Sequence, residues 1–444
     1  MPTPSTSVLR RVLNGTTLLV LGRIWGSACT FLTLWLLADH LAGADFGRYT
    51  FYLAVFMLLD SFVDLGTGSI AVQRTADDPG EIAGTLAAAR RIRAVSGTVG
   101  VVLVGGAAIV GQEPGALWIA LATLYPVTHV LELSATVFRN RIAWGVPVAI
   151  RALASALSLT FVLFLLYGSG TTQPGPYLCA VALGSATANF ALHFASRKHL
   201  PRERPPEIPW RAVLGAALPL GIAGLCQQTY FYVDNLFVRA FEGKVALGHY
   251  NVGIRLMSLC IMVGVYAALV ALPWFKREHA AGRLGAAVAR LAQPLFAIAC
   301  FVTGALSPWS AALLRIFGEE FDDASQSLRW LLGASALVYI GAILMSALAA
   351  TGHTKSVLVI AVAGLATNLV GNALLVPILG IDGAAIATFA TEGLVVIGGF
   401  IALRRAGILD LGGARAWRWA LGPLAFAVGN GTSFAIAMAP INLF

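Results

Sequence analysis

An all-helical chain threaded many times through a membrane is predicted by three properties of this sequence. They are 58% apolar residues, only 11% charged residues and a mean hydropathy of +0.80 over 444 residues. An ordinary soluble domain carries about 25% charged residues, so a soluble globular enzyme is excluded, as are disorder and collagen. At about twenty apolar residues per crossing, the length holds about thirteen membrane helices with short connections.

The crossings are read in order. Arg10 and Arg11 precede an apolar stretch that runs to Leu37, longer than the apolar segment of a cleavable signal, so it is a retained first span. Spans are predicted at 12–37, 49–72, 94–110, 117–137, 143–167, 177–196, 212–239, 249–275, 291–314, 331–350, 357–377 and 383–403. A thirteenth at 419–439 is interrupted by Gly429, Asn430 and Gly431.

A proline- and arginine-rich segment at 197–211 reads as a cytoplasmic linker between two six-helix lobes, 1–196 and 212–403, with a tail at 404–444 that carries the extra span. An internal echo supports the division. Gly43, Gly47 and Tyr49 before the second span are matched by Gly243, Gly248 and Tyr250 before the eighth. Repeated halves around a midplane site are a common plan for secondary transporters.

The formal charge of +9 follows from topology and needs no nucleic-acid partner. With a cytoplasmic N-terminus, the inward connections carry 22 Lys and Arg residues, and the outward ones only Arg48, Lys244, Arg315 and Arg329. Positive residues resist translocation, which fixes this orientation. The acidic cluster Glu319, Glu320, Asp322 and Asp323 then lies outside.

The five cysteines all fall in apolar runs without paired spacing and read as packing residues. There is no P-loop, no G-x-G-x-x-G, no G-x-S-x-G, no H-E-x-x-H and no i, i+4 histidine pair. Neither ATP hydrolysis nor a metal or organic cofactor is expected. The outward loops are too short to house a membrane-embedded glycan-processing enzyme.

Ionisable groups inside spans carry the functional signal, because each costs about 2.5 kcal/mol or more in hydrocarbon. They are Arg23, Asp60, Asp64, Glu132, Arg151, Asp234, Arg239, Arg255 and Glu392. Depth along neighbouring spans pairs Arg23 with Asp64, Glu132 with Arg151, and Asp234 with Arg255. Such pairs either tie helices together or line a cavity.

Asp60 and Asp64 share a helix face, and Asp60 has no evident basic partner. Asp60, Asp64 and the isolated Glu392 are therefore the candidates for coupling to a proton or sodium ion. Gln227, Gln228 and Tyr230 near Asp234, and Asn368 and Asn372 one turn apart, suit sugar hydroxyls. They serve equally as hydrogen bonds between helices.

Several motifs together resemble a known family. Phe46-Gly47-Arg48-Tyr49 followed by Asp64-Leu65-Gly66 is similar to the start of polysaccharide transporters, the flippases of lipid-linked oligosaccharides and O-antigen in the multidrug/oligosaccharidyl-lipid/polysaccharide exporter (MOP) superfamily. Leu218-Pro219-Leu220, Asp234, Leu247-Gly248-His249-Tyr250 and Arg255-Leu256 look like its seventh and eighth spans. Ile316-Phe317-Gly318, Glu320-Phe321, Gly352-His353-Thr354-Lys355, Asn368, Asn372, Pro377, Gly380 and Gly383-Ala384-Ala385 resemble its usual ending.

The resemblance implies a V-shaped transporter of two six-helix lobes related by a pseudo-twofold axis. It would move an undecaprenyl-diphosphate-linked glycan across the bacterial cytoplasmic membrane by alternating access, as a monomer among membrane lipids. Glycosyltransferases and a glycan polymerase would be its pathway partners. Arg23 and Arg255 would meet the anionic diphosphate. The alternatives are a multidrug and toxic compound extrusion (MATE)-type cation antiporter, whose cavity would be acidic and aromatic, and a lipid II flippase.

Overall fold

The computed structural model describes residues 6–41, 43–76, 79–113, 115–200, 207–316, 319–409 and 421–438, with no strand among them. The helices are α1 (Thr6–His40), α2 (Gly43–Asp64), α3 (Thr67–Thr75), α4 (Ile82–Val110), α5 (Ala116–Ala122), α6 (His129–Glu132), α7 (Thr136–Asn140), α8 (Gly145–Phe164) and α9 (Pro174–Arg197). They continue as α10 (Trp210–Phe241), α11 (Gly243–Ala280), α12 (Leu284–Leu306), α13 (Ser310–Arg315), α14 (Ser325–Ala350), α15 (Thr354–Arg405) and α16 (Leu421–Met438). The chain divides into two compact units, Met1–Ile222 and Ala223–Phe444, and the division falls inside α10.

In the first unit the expected continuous span 49–72 is broken. Helix α2 stops at Asp64, Leu65 and Gly66 turn with φ of 43° and 76°, and α3 starts afresh. Asp64 causes the restart by capping it. Its carboxylate accepts from the backbone N–H groups of Gly66 (3.1 Å) and Gly68 (3.2 Å), and the Thr67 hydroxyl donates to its carbonyl at 2.6 Å. Glycine is required at 66 twice over, since a Cβ there would also stand 2.6 Å from the Ala217 carbonyl oxygen.

The third span begins at Ile82 rather than at 94, so Arg90, Arg91 and Arg93 belong to a helix and not to a connection. The expected span 117–137 is a helical run whose middle tightens to 3₁₀ turns at Tyr125–Thr128 and Leu133–Ala135. Pro126, which has no N–H to donate, sits in the first of these turns. Leu37, Tyr49, Tyr52, Phe56, Ile119 and Tyr177 form one buried core of this unit.

In the second unit α15 is two helices folded back at Gly380, whose φ of 57° and ψ of −136° lie outside helical space. Close approaches run in antiparallel register along both arms. A Cβ on Gly383 would meet the Leu375 carbonyl oxygen at 2.4 Å, one on Gly371 the Ala387 side chain, and one on Gly398 the Ile360 side chain. This hairpin matches the spans expected at 357–377 and 383–403. Helix α16 lies against α12, with Ala425 and Phe426 packed beside Ala299 and Cys300.

The sequence echo has a structural counterpart. Helices α2 and α11 begin at Gly43 and Gly243, and the matched Tyr49 and Tyr250 are both fully buried. Helices of 22 residues or more with apolar faces turned outward, such as Leu21, Ile24, Phe31 and Trp35 of α1, are what a bilayer solvates.

Candidate functional site

Polar side chains concentrate at one place in each unit. In the first, the buried guanidinium of Arg93 on α4 is the hub. Its Nε donates to the Thr67 hydroxyl at 2.9 Å, and Nη1 donates to the His129 carbonyl at 2.9 Å and to Glu132 at 3.3 Å. Its Nη2 donates to Asp64. Glu132 also accepts from Arg139 at 3.5 Å and from Arg151, while the His129 ring lies 2.8 Å from it. Tyr125 donates its hydroxyl to Asp60, and the other ring nitrogen of His129 stands 3.3 Å from that carboxylate.

This arrangement corrects two readings of the sequence and sustains a third. Asp64 is not paired with Arg23; Arg93 takes it, because α4 begins a full three turns earlier than hydropathy indicated. Asp60 does have a basic neighbour, His129. The Glu132–Arg151 pair forms as depth matching expected, although two further guanidinium groups share Glu132.

In the second unit Asp234 of α10 is 2% exposed. Its carboxylate accepts from Tyr250 (2.8 Å), Thr388 (2.8 Å) and the Asn372 amide (2.7 Å), which come from α11 and the two arms of α15. Asn372 also donates to the Asn368 carbonyl at 2.9 Å. One turn away Tyr230 donates to buried Glu392 at 3.1 Å. The expected Asp234–Arg255 pair is absent, and no cation lies within ion-pair distance of Asp234 or Glu392 among the described residues.

The remaining sequence candidates are on the surface of their helices. Arg23, Gln227, Gln228 and Arg255 are exposed, and no ion pair of either arginine is found among the described residues. Thus Asp234, Tyr230, Asn368, Asn372 and Glu392 come together in the second unit, Asp60 and Asp64 join one cluster in the first, and Arg23 and Arg255 are uncommitted.

A family model described as "Polysaccharide biosynthesis protein" matches residues 12–279. The chain belongs to that family. A second model, MatE, matches residues 219–374. A search of curated proteins finds no match. Among solved structures, a Vibrio cholerae MATE transporter is similar with a TM-score of 0.75 at 15% identity, over 91% of this chain and 98% of that one. A MOP superfamily transporter from Pyrococcus furiosus, described by a reversed polarity of its binding pocket, gives 0.74 at 14% identity over 92% and 99%. These likenesses establish the fold, and ten of its helices among the described residues are long and apolar enough to cross a membrane.

Members of both polar clusters escaped the sequence reading. Arg93 was assigned to a connection, and His129, Tyr125, Tyr250 and Thr388 carry no charge that would mark them within a span. Helical spacing offered one signal: His129 and Glu132 are three apart, as are Tyr125 and Thr128, so each pair shares a face.

Proposed function

We propose that this protein is a flippase. It carries an undecaprenyl-diphosphate-linked oligosaccharide or polysaccharide repeat unit from the inner to the outer leaflet of the bacterial cytoplasmic membrane, with its N-terminus in the cytoplasm. Translocation proceeds by alternating access and is driven by a proton or sodium gradient. Glycosyltransferases supply the lipid-linked unit and a polymerase consumes it.

The observation that carries this reading is the pair of uncommitted guanidinium groups, Arg23 and Arg255, in a chain whose family match is to polysaccharide biosynthesis. An arginine within a span costs about 2.5–3.5 kcal/mol on insertion scales. A guanidinium left without a carboxylate there suits an anionic ligand, and its planar fork fits phosphate oxygens two at a time. An organic cation would be repelled. Exposed Gln227 and Gln228 add donors and acceptors for sugar hydroxyls.

Asp234 suits the coupling ion better than the glycan. It is a buried carboxylate with only neutral donors, which is stable when a proton or small cation completes it. The potential supplies about 2.3 kcal/mol per charge per 100 mV.

The test is transport of a fluorescent undecaprenyl-diphosphate glycan in vesicles holding the full chain. Arg23→Ala and Arg255→Ala are expected to abolish lipid movement while the protein remains folded, and undiminished movement would remove the assignment. A second reading, a MATE-type cation antiporter, is favoured by the MatE match and by Asp60 and Asp64, whose side chains are 40% and 41% exposed. It predicts efflux of an organic cation that the same arginine replacements leave intact. Lipid II, which carries the same diphosphate, is the competing cargo within the first reading, and competition with unlabelled lipid II separates the two.

A further inference from the structure

The His129 imidazole lies between two carboxylates. Its Nδ1 is 2.8 Å from Glu132 Oε2, and its Nε2, sealed from solvent and without a hydrogen bond of its own, is 3.3 Å from Asp60 Oδ1. A neutral imidazole has one N–H and one lone pair, whereas an ionised carboxylate only accepts. With the ring neutral and both acids ionised, either tautomer would aim a lone pair at a carboxylate oxygen. One added proton, on the ring or on either acid, removes that conflict.

The surroundings define what that proton meets. Arg93 reaches Glu132 and the His129 carbonyl, and also holds Asp64. Arg139 and Arg151 reach Glu132, and Tyr125 donates to Asp60 while its ring meets the imidazole edge-on at 5.7 Å. The three guanidinium groups balance the three carboxylates, so the extra proton is the one charge not already compensated. Among the described residues no group of His, Cys, Asp and Glu has metal-binding geometry.

Exposure gives the site two ends. Asp60 is 40% exposed, Glu132 only 13%, and Arg151 50%. We propose that Asp60, His129 and Glu132 form a proton-binding site that takes one proton per transport cycle, entering at Asp60 and acting at Glu132. A proton at Glu132 removes the charge that holds Arg151 and leaves that guanidinium open to an anion. This proposal rests on the reading of the chain as a gradient-driven exporter and adds to it a proton ligand in the first unit.

Two measurements on the full chain in vesicles test it. The first is the infrared difference spectrum on acidification, with no glycan present. Beyond the carboxyl bands of Asp234 and Glu392, which all variants share, the wild type is expected to gain a further protonated-carboxyl or imidazolium band that is missing in His129→Gln and in Asp60→Asn. An unchanged difference spectrum in both variants would overturn the site.

The second is the pH dependence of lipid transport. One coupled proton gives a rate changing on the order of tenfold per pH unit through the titration, flattened to less than about twofold in His129→Gln. A wild-type slope in that variant would also overturn the site while leaving the flippase reading intact. If the wild type moves no glycan lipid under any gradient yet shows the acid-induced band, the flippase reading fails and the proton site stands.

Discussion

Two arginines in neighbouring stretches of one unit show how environment decides what a charge does. Arg93 is 3% exposed and tied to Thr67, Asp64, Glu132 and the His129 carbonyl; Arg23 is exposed and has no ion pair among the described residues. Removing the first takes a buried donor from Thr67, from the His129 carbonyl and from two carboxylates, of which Glu132 keeps Arg139 and Arg151 and Asp64 is half-exposed, a change that costs about 1–3 kcal/mol. Arg93→Ala is therefore expected to lower the melting temperature in detergent, whereas Arg23→Ala leaves it unchanged and costs only transport. Equal melting of the two variants would contradict the assignment of Arg93 as the hub. Depth matching revealed the Glu132–Arg151 contact because it compares consecutive spans. It could not reveal Arg93, which reaches Asp64 and Glu132 from a helix whose first turns look too polar for a span, nor His129, which hydropathy treats as an ordinary interruption.

At the scale of elements, the order of the apolar spans was legible because twenty-residue apolar runs separated by basic loops have few other readings, although the spans at 49–72 and 291–314 each hold two helices. The break after Asp64 was not, because Leu65 and Gly66 lie within an apolar run and only the capping geometry of Asp64 shows why the helix restarts. The hairpin at Gly380 was legible from the two apolar runs that end at 377 and resume at 383. Its tightness was not, and it matters: Asn372 and Thr388, one on each arm, both reach Asp234. A methyl group at Gly383 would stand 2.4 Å from the Leu375 carbonyl oxygen and must pry the arms apart. Gly383→Ala is expected to cost about 1–3 kcal/mol, the usual range for overpacking, and to loosen the hold on Asp234. Gly66→Ala is expected to cost at least as much, combining a backbone clash with an unfavourable positive φ. Gly106 provides the control: no atom lies within 4 Å of its Cβ position, so alanine there gains up to about 1 kcal/mol of helix propensity. Thermal unfolding of the three variants in one detergent ranks them.

For the whole molecule the open question raised by the sequence was whether the last apolar segment crosses. Gly429, Asn430 and Gly431 interrupt its hydropathy, yet in three dimensions Gly429 is where a neighbour fits. Gly422 lies against the Phe296 ring and Gly429 against the Phe301 carbonyl and the Ala305 amide, so α16 runs beside α12 in the same direction. Eighteen residues at 1.5 Å each make about 27 Å, close to the roughly 30 Å of hydrocarbon to be spanned. Arg404, Arg405, Arg415 and Arg418 precede it in sequence, and the resistance of positive residues to translocation predicts that they stay on the cytoplasmic side. A helix that starts among those arginines, parallels α12 and has that length is expected to cross outward. It would place the residues after Met438 on the face opposite the N-terminus. An alkaline phosphatase fused after Met438 should therefore be active, and a fluorescent protein fused there should be dark. The same reporters fused after Arg405 should give the reverse pattern. Fluorescence at both fusion points would mean that α16 lies on the cytoplasmic surface and that its glycines serve packing against α12 alone.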